Sequence, residues 1–146
     1  MGKIILVMGL PGSGKTTLAK MLADKLEAPL LNADKIREAY NDWDFTAEGR
    51  LRQTKRMKKL ADKLALDYDY VIADFICPRP RLRRLFSPHY IIWMDTIEEG
   101  RYEDTNQYFI PPRKFHIKVS KMDADTWSEL ILKDILGEDY KGEIVL

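Results

Sequence analysis

Cysteine and histidine are scarce in this chain of 146 residues: one cysteine, Cys77, and two histidines, His89 and His116. A single thiol excludes an internal disulfide and a cysteine-built zinc site. Two histidines so far apart in sequence argue against a histidine-rich metal centre. Long apolar runs are also missing. The longest near the N-terminus, Ile4 to Met8, is far short of a signal-peptide core or a membrane span. Gly2 lacks the Ser or Thr that myristoylation expects four residues on, because Leu6 stands there. Charge of one sign is absent as well. The 24 Lys and Arg against 23 Asp and Glu leave +1, so no global field points to a nucleic acid or a membrane. The expectation is a soluble, cytoplasmic protein with no membrane partner. Hydrophobic residues at 45% and charged residues at 32% suit one globular domain over residues 1–146. Composition leaves the oligomeric state open.

What is present is an alternation of strand-like and helix-like segments. Lys3 to Met8 is a continuous apolar run, the pattern of a strand buried on both faces. Lys15 to Glu27 carries Leu18, Met21, Leu22 and Leu26 at helical spacing. Leu30 and Leu31 suggest a short second strand, and Asp34 to Tyr40 a short helix. Thr46 to Leu66 is a long helix that Thr46 can cap. Asp69 to Ile76 is the next buried strand, Pro78 to Phe86 a basic helix or loop, and Tyr90 to Met94 a fourth strand. Thr96 to Pro112 has no clean period and is expected to be a loop. Phe115 to Val119 is a fifth strand, Asp123 to Leu136 a helix capped by Asp123, and Glu138 to Leu146 a tail. Such alternation implies an α/β fold, a five-stranded parallel sheet with helices on both faces. Ligands in such sheets bind beyond the carboxyl ends of the strands.

Gly9-Leu10-Pro11-Gly12-Ser13-Gly14-Lys15-Thr16 occupies one of those ends. It matches the phosphate-loop pattern of Gly, four residues, then Gly-Lys-Ser/Thr. Glycines let backbone amides turn inward around an anion, and a helix opening at Gly14 adds the positive end of its dipole. Lys15 supplies a cation for the β- and γ-phosphates, and Thr16 a hydroxyl for Mg²⁺. Gly9, Pro11, Gly12, Ser13, Gly14, Lys15, Thr16 and Thr17 are therefore the expected ATP-binding set. The architecture expected is that of the phosphate-loop hydrolases and nucleotide kinases.

Two carboxylates stand at the other strand ends. Asp34 follows the second strand, where it can take or orient a hydroxyl proton, or simply cap a helix. Arg37, one turn on, suits an anionic acceptor. Asp74 ends the third strand after Val71-Ile72-Ala73, and with Thr16 is the expected Mg²⁺ pair. Six basic residues and no acidic one lie between Arg50 and Lys59, and Arg79, Arg81, Arg83 and Arg84 form a second cluster. Runs of this kind are usually solvated faces, yet two of them flanking strand ends favour an anionic acceptor. Cys77 has no local histidine to make a thiolate, so it is expected to be a buried or pocket-lining thiol. Phe45 and Trp43, in a polar loop, are candidates to stack on a base.

In order, the glycine loop, Leu31-Asn32-Ala33-Asp34-Lys35-Ile36-Arg37, Phe45-Thr46 with Arg50, Gln53 and Arg56, and Phe75-Ile76-Cys77-Pro78 resemble adenylylsulfate kinase. The resemblance covers residues 3 to 95, and more weakly the Tyr102 to Pro111 region. It implies ATP, Mg²⁺ and transfer of the γ-phosphate to a ribose hydroxyl of adenylyl sulfate. Asp34 would then be the catalytic carboxylate. Arg37, Arg50, Gln53 and Arg56 would hold the acceptor, Phe45 would stack on it, and Ile76 and Cys77 would line its pocket.

The chain departs from that family's pattern. Asn32 replaces the first Asp of an acidic pair, Ala33 a Gly, Gly49 an Asp, Gln53 an Asn and Cys77 a Ser. Asp74 stands where a small or neutral residue is usual. A long basic lid segment after Asp95-Thr96 is missing, and Arg101 is the arginine left there to stabilise a transferring phosphoryl group. An open acceptor side suits a bulky substrate. Compact viral phosphate-loop kinases are similar to this family and phosphorylate a hydroxymethyl group on modified DNA bases, such as hydroxymethyluracil, so DNA is an alternative acceptor. A non-catalytic nucleotide-binding protein is a second alternative.

Overall fold

The computed structural model describes residues 2–97, 103–121, 124–137 and 144–145. The apolar run at the N-terminus becomes strand β1 (Lys3–Gly9), buried from Ile4 onward. It lies between β3 (Tyr70–Asp74) and β4 (Tyr90–Met94), parallel to both. Strand β2 (Leu30–Asn32) extends the sheet beyond β3, and β5 (Ile117–Val119) extends it beyond β4. With the two-residue β6 (Ile144–Val145) the order is β2-β3-β1-β4-β5-β6. The chain leaves β1 toward one side of the sheet and later builds the other, so the crossovers diverge there and open a crevice beyond the strand ends.

The period of two in β1 distributes its side chains between two cores. Ile5 and Val7 pack with Leu18 and Leu22 of α1 (Lys15–Leu26) and Ile131 and Ile135 of α6 (Ala124–Ile135). Ile4, Leu6 and Met8 pack on the other face with Met57 and Ala61 of α3 (Ala47–Leu64) and Leu82 and Phe86 of α4 (Pro80–Phe86). A strand buried on both faces is intolerant of truncation: an Ile or Leu to Ala change there costs about 2–5 kcal/mol. Among the described residues no helix is long and apolar enough to cross a membrane.

The five expected parallel strands are present. Thr46 caps α3 as expected, its hydroxyl accepting from the Gly49 amide at 3.1 Å. Other expectations need correction. Helix α2 (Ala33–Tyr40) is capped by Asn32, whose side chain accepts from the Lys35 amide at 3.0 Å, so Asp34 lies in the first turn and is not the cap. The segment expected to be a loop holds helix α5 (Glu103–Tyr108), six residues that are too few to show a period. The expected tail contributes β6, whose Ile144 pairs with Ile117. Arg101 and the expected cap Asp123 lie outside the described residues.

Cys77 follows β3 with φ of 47°, a left-handed conformation unusual for a side chain larger than glycine. It is fully buried in the core beside α3 and α4, and burial pushes its thiol up to about 12. The thiol therefore stays protonated at neutral pH. Native protein is expected to resist a thiol-specific disulfide reagent at pH 8 and to react fully once unfolded in guanidinium. Rapid labelling of the native protein would contradict this burial.

Candidate active site

The loop between β1 and α1 is shaped by its glycines. Gly12 and Gly14 have φ of 89° and 96°, a region that a Cβ disfavours. Gly14 is the N-cap of α1 and offers no side chain to the first amides of that helix, which has no acid in its first turn. Those amides are the donors an anion would take. The Lys15 ammonium lies across the loop and donates to the Leu10 carbonyl at 3.1 Å.

Register sets the next contact. Strand pairing places Val7 beside Asp74 and Asp74 beside Asn32. The Asp74 carboxylate is buried, and one of its oxygens accepts from the Thr16 hydroxyl at 2.6 Å and from the Asn32 amide at 2.7 Å. A buried carboxylate needs such donors, because its desolvation is otherwise costly.

A cavity of about 330 Å³ extends from this cluster. Pro11, Gly12, Gly14, Lys15, Thr16 and Thr17 form its phosphate-loop end. Asp34, Arg37, Phe45 and Arg50 form its far end, with Asp74 and Ile76 between. Gly9 and Ser13, expected in the ATP set, are buried and do not line the cavity. Phe45 is half exposed and its ring lies under two guanidiniums, Arg37 at 4.4 Å and Arg50 at 5.7 Å. Arg37 donates to the carbonyls of Asp42 and Asp44, and Arg50 to the carbonyl of Phe45. Burial lowers the Arg37 pKa, and neighbouring Arg50 and Arg56 lower it further against the opposing pull of Asp42. An anion in the cavity would relieve that crowding of positive charge.

Three expected acceptor residues are placed elsewhere. Cys77 is buried in the core, turned there by its left-handed backbone. Gln53 is 1% exposed and donates to the Ala33 carbonyl at 2.9 Å. Arg56 donates to the Gln53 side chain at 2.8 Å and to Asp42 at 3.0 Å. Gln53 and Arg56 thus form a chain of bonds from Asp42 to the first residue of α2, one before Asp34. Trp43 does not line the cavity.

Asp42 is the site residue that sequence reasoning missed. It also accepts from Arg52 at 2.8 Å, and the Asp42–Thr46 loop it anchors carries Phe45. The loop can fold back because residue 49 is glycine: a Cβ there would meet the Asp44 carbonyl and side chain. Hydrogen bonds from Arg52 and then Arg56 hold the Asp42 carboxyl well below the usual carboxylate range. A depressed folded pKa contributes stability that is complete above the unfolded aspartate value of about 3.9 and is lost as pH falls below it. Asp42→Asn is therefore expected to shallow the acid-unfolding profile between about pH 2 and 4. An acid transition identical to that of the parent would remove Asp42 from this role.

The AAA domain profile matches residues 4–103, more than half of the chain. The probable adenylyl-sulfate kinase of Aeropyrum pernix is 38% identical over 90 residues, 58% of this chain and 49% of that protein. The chain thus spans about half the length of that relative. The shikimate kinase of Symbiobacterium thermophilum is 28% identical over 106 residues, 68% of this chain and 61% of that protein. In fold, the APS kinase of Mycobacterium tuberculosis, solved with AMPPNP and APS, superposes with a TM-score of 0.77 at 20% identity, over 92% of this chain and 97% of that one. The profile match takes in both the phosphate loop and the far wall of the cavity, and by it the chain belongs to the AAA domain family, with a kinase-like phosphate-loop fold.

Proposed function

We propose that this chain is an ATP-dependent phosphotransferase that moves the γ-phosphate to a hydroxyl of an anionic, ring-bearing acceptor of the adenylyl sulfate type. One observation carries the reading: a single cavity joins the phosphate loop to Asp34, Arg37, Phe45 and Arg50. The loop amides and Lys15 would hold the triphosphate. The hydroxyl of Thr16 and carboxylate of Asp74 are hard oxygen ligands, the donor set that suits Mg²⁺ beside phosphates and water. When bound, that ion would neutralise charge on the β- and γ-phosphates.

Asp34, which lines the same cavity, would act on the acceptor. The acceptor oxygen forms a bond to the γ-phosphorus as the bond to the β,γ-bridging oxygen breaks, and the hydroxyl proton passes to the Asp34 carboxylate. Arg37 and Arg50 would meet the acceptor's anion, and the exposed Phe45 ring its base. That pairing favours a nucleotide over shikimate, which is anionic but has no aromatic ring to stack. Arg101, outside the described residues, is proposed to meet the transferring phosphoryl group. The similarity to the Aeropyrum pernix protein, named as an adenylyl-sulfate kinase, supports the same reading.

The test uses γ-labelled ATP with Mg²⁺ and offers adenylyl sulfate, shikimate and hydroxymethyluracil-containing DNA in parallel. Label is expected on adenylyl sulfate and lost in Lys15→Ala. Asp34→Asn is expected to lower kcat by about 100-fold or more, with an unchanged melting temperature because Asp34 is exposed. Full activity of that variant would remove Asp34 from the mechanism, and label on another acceptor alone would overturn the substrate. Phe45→Ala is expected to raise the KM for adenylyl sulfate about tenfold, stacking being worth about 1–3 kcal/mol per base. The KM for ATP should hold; a rise in the ATP constant alone would reverse the assignment of the two ends.

A further inference from the structure

A second, more open cavity of about 600 Å³ lies beside the first, and Leu82 lines both. Its wall carries three arginines, Arg79, Arg81 and Arg84, against one acid, Glu48. Among the described residues none of these arginines has a carboxylate within ion-pair distance. The Arg79 Nε is buried and has no hydrogen-bond partner among them. Its guanidinium lies 4.0 Å over the ring of Tyr108, and Arg50 lies 4.6 Å over the same ring. Tyr108 thus separates an arginine of the first cavity from one of the second. Two guanidiniums on one ring gain cation–π attraction but also repel each other. An anion on the outer side would offset that repulsion on the Arg79 side, and arginine forks match phosphate oxygens.

We propose that this second cavity is a phosphate-binding subsite, which takes a phosphate of a ligand bound beside the acceptor. The proposal rests on the phosphotransferase reading for the word acceptor, but the binding itself does not. A phosphate here would be held by Arg79, Arg81 and Arg84 over the floor made by Leu51 and Leu82, one step along the wall from the reacting hydroxyl. The same chemistry is offered by a small phosphorylated molecule or by a short phosphodiester strand.

Binding is measured directly, with inorganic pyrophosphate and with the tetranucleotide pTpTpTpT as probes. The readouts are calorimetry and the arginine Nε–Hε resonances of the full chain. The Arg79 resonance is expected to shift on titration. The affinity is expected to fall at least tenfold in the Arg81→Gln/Arg84→Gln double variant, whose changes are at exposed positions. It is expected to hold in Lys15→Ala, which separates this site from the phosphate loop. Binding should weaken with salt at a slope of about −0.7 for each phosphate contacted on the strand. Binding of both probes would mean a site for a discrete phosphate, and binding of the tetranucleotide alone a site for a strand; either supports the subsite. Affinity unchanged in the double variant, or lost in Lys15→Ala, would overturn it. Lack of phosphate transfer with this binding intact would overturn only the phosphotransferase reading.

Discussion

Parallel register between β1, β2 and β3 is the constraint on which the site depends. It sets Val7 beside Asp74 and Asp74 beside Asn32, so β2 and β3 finish level with Val7, two residues before β1 ends at Gly9. The phosphate loop leaves β1, α2 leaves β2, and Asp74 closes β3. The Thr16 and Asn32 hydrogen bonds to one Asp74 oxygen tie loop, strand and helix start together. A slip of one residue in β3 would turn Asp74 to the other face of the sheet. Buried apolar side chains on both faces of β1 and β3 hold that register.

The far wall of the cavity is built differently. Its cations are fixed by backbone carbonyls: Arg37 by those of Asp42 and Asp44, Arg50 by that of Phe45. A carbonyl partner positions a guanidinium on the cavity wall without itself carrying a counter-charge. Among the described residues, Asp42 pairs with Arg52 and Arg56 outside the cavity, and Asp44 pairs with Arg52. Arg52 and Arg56 thus hold the loop by its carboxylates, and Arg37 and Arg50 hold it by its carbonyls.

Much of this was legible in the sequence. The sheet followed from alternating segments, and the loop, Asp34, Arg37, Phe45, Arg50 and Asp74 were each placed by a strand end or a helical turn. What failed did so for local reasons. Helical spacing puts Gln53 and Arg56 near Arg50, but it does not say what opposes them. Asp42 opposes Arg56, and it does so because Gly49 lets a loop fold back over α3. Asn32 took the capping role given to Asp34, as two polar residues in a row leave that choice to the backbone. Cys77 was turned into the core by one left-handed residue, which no pattern of residue types announces. Helix α5 and strand β6 are too short to carry a period.

The central claim is that one cavity holds both the triphosphate and the acceptor hydroxyl. The most direct measurement is inhibition by a bisubstrate analogue in which the ATP polyphosphate is joined to the acceptor nucleotide through the reacting oxygen. Competition against both ATP and adenylyl sulfate is the result expected, with affinity lost in Lys15→Ala and in Phe45→Ala alike. Competition against ATP alone, with affinity indifferent to Phe45, would mean that the two ends of the cavity do not serve one reaction.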